Sequence, residues 1–529
     1  MRTVLAGVIV TLLLAPGARA GDSPVAGNWK VTILQNGQAI PLWLVRFEDK
    51  AGKLTGEATA LRGVPPSKFD QASIQGDVLL FGVRLGKDLL ITFEAKLPAP
   101  GSKKILGSAN LNDKIIPAYL EATTAKSRFE LDRDTVIRTP NDPRVFVAAI
   151  DLLKAAKAEK AAGKDVQEWA EIVLKSSEGY GPRFQADFSS RLLDSLADYP
   201  ETAITIGKKM EAGLDAKAPL TARIRLLDLI AGALKKSGQV DQAKELGVKI
   251  EGLELPAYQD YVKTSIEFPI TKYAGRKGKS NRAVLVELFT GAQCPPCVAA
   301  DIAFDAVERT YKNTEVVLLQ YHMHVPGPDA LANADTDLRC SYYGEVIDGM
   351  PSILFNGKVG APGGGDREDA KDKFLECRSV IEPLLEKEAS LQLTAQAVKK
   401  ANKIDISAAV TGLQKPGEKI RLRLALVEDW VRYKGNNGMT YHHRVVRALP
   451  GGTKGLTLAK ADGELKVTVD LDDVQRQLSK YLDDFANTKA PFPDGQRPLR
   501  LKPLHVVAFV QDDATMEVLQ AVDVAVREE

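Results

Sequence analysis

Apolar and polar positions change their rhythm several times along the chain. Between residues 24 and 137 the apolar residues fall in short runs or alternate, at 29–33, 42–47, 54–59, 78–83, 89–95 and 105–109. Gly76-Asp77 and Gly86-Lys87-Asp88 punctuate them. Many short strands with turn residues between them predict an all-β domain, an antiparallel barrel or sandwich. A linker with two prolines follows at 139–143. From 144 to 265 the spacing becomes helical and the composition rich in Ala, Lys, Leu and Glu. Helical pairs are expected at 188–214 and 220–252, forming a small spacer. From 389 to 529 the pattern returns to strands, at 391–397, 404–410, 420–427, 465–469 and 505–511, which predicts a C-terminal β-sandwich.

The most informative stretch lies between these regions. Five apolar residues crowd positions 283–288, with β-branched Val284 and Val286, broken only by Glu287. Such a run reads as a buried strand. A turn with Thr290 and Gly291 leads to Cys294, Pro295, Pro296 and Cys297. Val298, Ile302 and Ala306 then recur four apart, the stripe of an amphipathic helix. A C-x-x-C between a buried strand and a helix is the setting of a dithiol redox motif. At the helix start, unpaired N–H groups and the macrodipole stabilise a thiolate, which is the nucleophilic form. Cys294 is the expected attacking residue. Cys297, one turn on, can close a disulfide and release a substrate. Pro295 and Pro296 lack N–H groups and suit a helix start. They leave the Cys297 amide as the expected local donor to the thiolate.

Downstream, Gly349-Met350-Pro351 precedes a short apolar strand at 352–355 and the turn Asn356-Gly357. With the strand, the CxxC and its helix, this order resembles the thioredoxin superfamily over about 268–388, under a quarter of the chain. The resemblance implies an α/β thioredoxin-like fold and thiol–disulfide exchange on protein substrates. It also implies that Met350-Pro351 is a cis-proline that positions substrate, and that Glu287 stands for the buried acid that shuttles a proton. Two residues depart from the family pattern. Gln293 replaces a tryptophan, and Glu287 precedes Cys294 by seven residues rather than six.

A further strand at 315–321 runs into His322 and His324. If it is parallel to the first strand, both histidines arrive near Cys294. Three readings stay open for them: polar residues closing a strand, tuners of thiolate ionisation, or ligands that with the cysteines hold Cu(I) or Zn(II). The adjacent His442 and His443 point to opposite faces of a strand and are expected at a surface or domain interface. Gly357–Gly365 lacks the Lys-Ser/Thr of a phosphate loop and reads as a turn.

Composition narrows the remaining choices. Lysine plus arginine is 71 and aspartate plus glutamate 69, so nucleic acid and anionic membrane are not expected partners. At 529 residues the chain needs three to five domains. Arg2, an apolar run at 4–15 and Ala18-Arg19-Ala20 form a signal peptide over 1–20, too short to span a bilayer. No cysteine follows its cleavage site, so no lipid anchor is expected. The mature chain, without a membrane span, is expected in a periplasmic or extracellular space, where disulfides persist. Four cysteines are too few for a disulfide framework, and Cys340 and Cys377 are left outside the CxxC. The expected whole is multidomain: signal peptide 1–20, all-β domain 24–137, helical domain 144–265, thioredoxin-like domain 268–388 and β-sandwich 389–529. Its expected partners are protein thiols or disulfides and an electron donor or acceptor, with no resident cofactor.

Overall fold

The computed structural model describes residues 23–50, 53–86, 89–97, 99, 102–215, 217–492 and 495–529. The expected signal peptide at 1–20 lies outside the described residues. The chain divides into two compact units, one ending at residue 251 and one starting at 252.

The first unit opens with eight antiparallel strands: β1 (Gly27–Gln35), β2 (Gln38–Lys50), β3 (Lys53–Ala60), β4 (Ser67–Gln75), β5 (Val78–Leu85), β6 (Leu89–Lys96), β7 (Lys104–Leu111) and β8 (Lys114–Thr123). Their order, β3-β2-β1-β8-β7-β6-β5-β4, curls into a near-barrel. Gly56 of β3 lies directly against the Phe69 ring of β4, where an added Cβ would fall 2.7 Å from the ring. Aromatic side chains fill the interior. Phe81 stacks on Phe93 with centroids 4.6 Å apart, and Trp43 meets Phe93 edge-on at 5.7 Å. Each such ring contributes about 2–3 kcal/mol by burial. The runs read from the sequence omit β4 and β8: β4 leaves no residue fully buried on either face, and β8 buries only Ala118 and Leu120.

The helices follow: α1 (Arg128–Arg138), α2 (Val145–Ala155), α3 (Gly163–Ser177), α4 (Pro182–Ser195), α5 (Pro200–Gly213), α6 (Leu220–Lys236) and α7 (Val240–Thr264). Phe146, Trp169, Phe188 and Leu193 anchor their common core. The expected all-β segment reached 137, but α1 already occupies 128–138. Ser127 caps it by accepting the Glu130 N–H at 3.2 Å, and the Glu130 carboxylate returns to the Lys126 N–H.

The second unit continues with β9 (Val284–Thr290), α8 (Val298–Thr310), β10 (Val316–His322), α9 (Ala334–Tyr343), β11 (Ser352–Phe355), β12 (Lys358–Pro362) and α10 (Ala370–Leu385). Then come β13 (Gln392–Lys400), β14 (Lys403–Thr411), β15 (Ile420–Arg432), β16 (Tyr441–Ala448), β17 (Leu456–Thr457), β18 (Gly463–Asp470), α11 (Leu471–Thr488), β19 (Leu504–Asp512), β20 (Val518–Ala525) and β21 (Arg527–Glu528). β9 and β10 are parallel, and β11 runs antiparallel to β9. Every residue of β9 and β10 is buried, as the continuous apolar runs require.

Segment 389–529 is β-rich as expected, but it is not a separate sandwich. β16 pairs in parallel with β10 at Gln320–Val445, and β15, β19 and β20 continue the same nine-stranded sheet. Only β18-β14-β13-β21 forms a second sheet. The reason lies in β10: its largely apolar sequence, Val316 to Leu319 with Tyr321, cannot stand at an open edge, so a strand from the C-terminal segment covers it. Among the described residues, no helix is long and apolar enough to cross a membrane.

Candidate functional site

The site forms where β9 ends. Its odd-face residues and helix α8 separate two environments. Val284, Val286 and Leu288 pack on α8 and α10, while Leu285 and Phe289 face α9 and the C-terminal strands. The chain turns at Thr290–Gly291, and the Cys294 N–H donates to the Gly291 carbonyl at 3.0 Å. Pro295–Cys297 makes one 3-10 turn that leads directly into α8. Cys294 and Cys297 form a disulfide with Cα atoms 5.4 Å apart. They are 2% and 0% exposed. The Cys297 N–H, expected to serve the Cys294 sulfur, instead donates to the Cys294 carbonyl at 3.2 Å.

Pro351 reaches the same edge because β11 runs antiparallel to β9, with Ser352 opposite Phe289. The Met350–Pro351 bond is cis. The glycine loop 363–365 joins the two parts. An added Cβ on Gly363 would lie 2.3 Å from the Pro351 carbonyl oxygen. Gly365 N–H donates to the Pro296 carbonyl at 2.9 Å, and the Ala299 N–H donates to the Gly365 carbonyl at 3.3 Å. The expected turn over 357–365 is therefore strand β12 at Lys358–Pro362 followed by a loop at 363–365 that packs as a wall of the site.

Glu287 is placed elsewhere. It lies on the sheet face opposite α8, fully buried. Arg339 of α9 grips its carboxylate through Nε at 2.8 Å and Nη2 at 3.0 Å, and the Tyr343 hydroxyl donates to it as well. Both oxygens are engaged away from the cysteines, so the proton role implied by the family resemblance has no geometry here. Strand alternation is the cause: the seven-residue offset from Cys294 puts this side chain on the wrong face.

The histidines do arrive at this edge. Met323 N–H donates to the Thr290 carbonyl at 2.8 Å. His322 Nδ1 lies 2.9 Å from Asp329 Oδ2 and its Nε2 lies 3.2 Å from Gln320 Oε1, so oxygen partners already occupy both ring nitrogens. His324 Nδ1 accepts the Asp329 N–H at 2.9 Å, and its ring stacks on Phe485 with centroids 3.6 Å apart. Burial lowers the His324 pKa, against the pull of Asp329 and Asp337. The two rings thus meet through Asp329, not through a shared metal. Among the described residues, no group of three or more His, Cys, Asp or Glu is arranged to hold one.

Two buried acids near the motif escaped the sequence reading. Asp301, four residues after Cys297, accepts from Thr290 Oγ1 at 2.8 Å and Gln320 Nε2 at 3.1 Å. Burial holds its carboxyl well above the usual range. Burial would raise Asp329 too, but His322 and the N–H groups of Leu331 and Ala292 outweigh it and hold the carboxyl low. The signal available for Asp301 was its spacing: i, i+4 from Cys297 puts both on one helix face.

His442 and His443, expected at a surface or interface, are both buried on opposite faces of β16. His442 donates through Nε2 to the Tyr433 carbonyl, and its ring meets His322 edge-on at 4.7 Å. Burial, with His322 alongside, drives its pKa down to about 3. His443 lies 2.6 Å from Asp305 Oδ1 and 3.1 Å from the Tyr258 hydroxyl. Burial opposes its charge, yet Asp305, Glu308 and Asp429 prevail and push its pKa up to about 9. A folded pKa above the unfolded 6.5 adds stability that is complete below pH 6.5 and is lost as pH rises through 9. The interval corresponds to about 3 kcal/mol. Urea unfolding at pH 6 and pH 10 is expected to show the parent losing this increment and His443→Gln lacking it. An unchanged difference between the two proteins across that range would refute the ion pair.

Of the two remaining cysteines, Cys377 is buried and its thiol is pushed up to about 12, chiefly by burial; Cys340 is half-buried and also raised.

No protein-family profile and no curated protein matches the chain. Two solved structures resemble parts of it. HBP35 of Porphyromonas gingivalis is 15% identical over 47% of this chain and 77% of its own, with a TM-score of 0.34. A domain of the outer membrane lipoprotein Omp28 from Porphyromonas gingivalis is 18% identical over 27% of this chain and 99% of its own, with a TM-score of 0.18. Both likenesses are partial.

Proposed function

We propose that this chain is an exported thiol–disulfide oxidoreductase of thioredoxin-like fold. The observation that carries the reading is the Cys294–Cys297 disulfide at the start of α8, with the glycine loop 363–365 packed between Pro296 and Pro351. In the reducing direction, the Cys294 thiolate attacks one sulfur of a substrate disulfide. The substrate S–S bond breaks, a mixed disulfide forms and one substrate thiolate leaves. Cys297 then attacks the Cys294 sulfur and releases the second substrate thiolate. The protein ends as the disulfide and the substrate as the dithiol. A dithiol donor must reduce the pair again before another cycle. The start of α8 favours the Cys294 thiolate, and Pro351 lines the edge along which a substrate strand would lie.

Two measurements test this. Equilibration with glutathione couples of graded ratio is expected to show one two-electron transition, absent from Cys294→Ser/Cys297→Ser. In a turnover assay with a protein disulfide and a dithiol donor, that double variant is expected to fall to background. A parent with no transition, or with turnover equal to the double variant, would refute the reading.

A further inference from the structure

A disulfide 2% and 0% exposed admits no partner sulfur in this conformation. One wall is the loop 363–365. The other is the segment 433–440 between β15 and β16. Along it Tyr433, Gly435 and Met439 are buried while Lys434, Asn436 and Gly438 are exposed. The Tyr433 N–H donates to the Thr440 carbonyl at 3.0 Å and the Gly438 N–H to the Gly435 carbonyl at 3.1 Å, so the segment is a hairpin loop with its turn at 435–438.

Its contacts fall on both sides of the cysteines. Before them, the Asn437 N–H donates to the Ala292 carbonyl at 3.0 Å and the Asn436 N–H to Gln293 Oε1 at 3.2 Å. Gln293 Nε2 donates back to the Tyr433 hydroxyl at 3.1 Å. After them, Asn437 Nδ2 donates to Asp301 Oδ2 at 3.4 Å, and Met439 packs with Val298, Ile302 and Ala370. Gly435 permits the close approach: an added Cβ would fall 2.0 Å from the Ala292 carbonyl oxygen. Gly438, at φ +80°, supplies the turn into β16. Tyr433 anchors the base of the segment in the core with Ala292, Leu331 and Val445. Beyond it the tip is held by a few hydrogen bonds of modest net strength and by Met439, which is the make-up of a region that opens locally before the core does.

We propose that 433–440 is a strap that lifts to expose Cys294, and that exchange proceeds only from the lifted state. The proposal rests on the exchange reading for its purpose but not for its test. The measured rate at the disulfide is then the intrinsic rate multiplied by the lifted fraction. The strap also selects partners: a substrate must displace Asn436 and Asn437 from the Cys-containing turn.

The experiment follows reduction of the disulfide in the oxidised full chain by a small water-soluble phosphine. The phosphine is oxidised, taking its oxygen from water, and the two thiols released are counted by alkylation and mass spectrometry. The parent is expected to react far more slowly than the urea-unfolded chain. Gly435→Ala, whose methyl cannot fit between the strap and the Ala292 carbonyl, is expected to react at least about 10-fold faster than the parent. Tyr433→Phe and Asn437→Ala, which add no bulk and carry the test if Gly435→Ala does not fold, are each expected to react about 5-fold faster, the factor of one net hydrogen bond. A parent as fast as the unfolded chain would overturn the strap, and so would folded variants that all match the parent. Faster reduction of the variants, with no exchange on protein disulfides by any of them, upholds the strap and refutes the exchange reading alone.

Discussion

An Arg339→Met variant is expected to be about 3–5 kcal/mol less stable than the parent. Arg339 is 2% exposed and donates to Glu287 twice, to Gln511 Oε1 at 2.8 Å and to the Tyr343 hydroxyl at 2.9 Å. Its guanidinium also lies 4.7–5.0 Å from the ring centroids of Tyr342, Tyr343 and Phe509. Burial would lower the Arg339 pKa, but Glu287 and the flanking tyrosines hold it well above the usual arginine range. Removing the cation strands a carboxylate with no exposure, and that uncompensated charge is the source of the loss. Removing both partners is different. Glu287→Met/Arg339→Met deletes the charges together, and burying two apolar chains offsets much of the lost pairing. Urea unfolding of the parent, both single variants and the double is the measurement, with a coupling energy of at least about 2 kcal/mol expected. Additive losses in the double variant would mean that the two side chains do not depend on each other.

Cys297→Ser is expected to accumulate mixed disulfides and to lose turnover by at least about a thousand-fold, the scale that follows removal of a residue from a covalent pathway. Serine cannot attack the bond between Cys294 and a substrate sulfur, so the intermediate persists. Cys294→Ser loses turnover to the same extent but traps little. Cys297 is wholly buried and spends its N–H on the Cys294 carbonyl, whereas Cys294 stands at the N-cap of the turn. A non-reducing gel of each variant from its native compartment, with identification of the captured bands, reads the difference. Equal trapping by both variants would remove the assignment of attacking and resolving roles.

Legibility followed the range of the interactions. The buried strand β9, the turn at Cys294 and the helix behind it could be read from the sequence because each depends on neighbours within a few residues. The near-barrel was legible for the same reason, since each of its hairpins is local. What escaped depends on distant partners. Glu287 meets Arg339 52 residues downstream, and no period in either segment announces the pair. The β10–β16 pairing unites Gln320 with Val445, so a sandwich was expected where the structure has a continued sheet. His442 and His443 were rightly assigned to opposite faces, but both faces of β16 are covered, which a two-residue period cannot reveal.

The strap has a consequence for the timing of the protein's birth. Gln293 and the Tyr433 it bonds are 140 residues apart. At about 5–20 residues per second, the cysteines emerge roughly 7–28 s before the segment that encloses them exists. During that interval the pair is open to any oxidant that the nascent chain meets. Its first oxidation state is therefore set by the compartment it enters, and every later change must pass the strap.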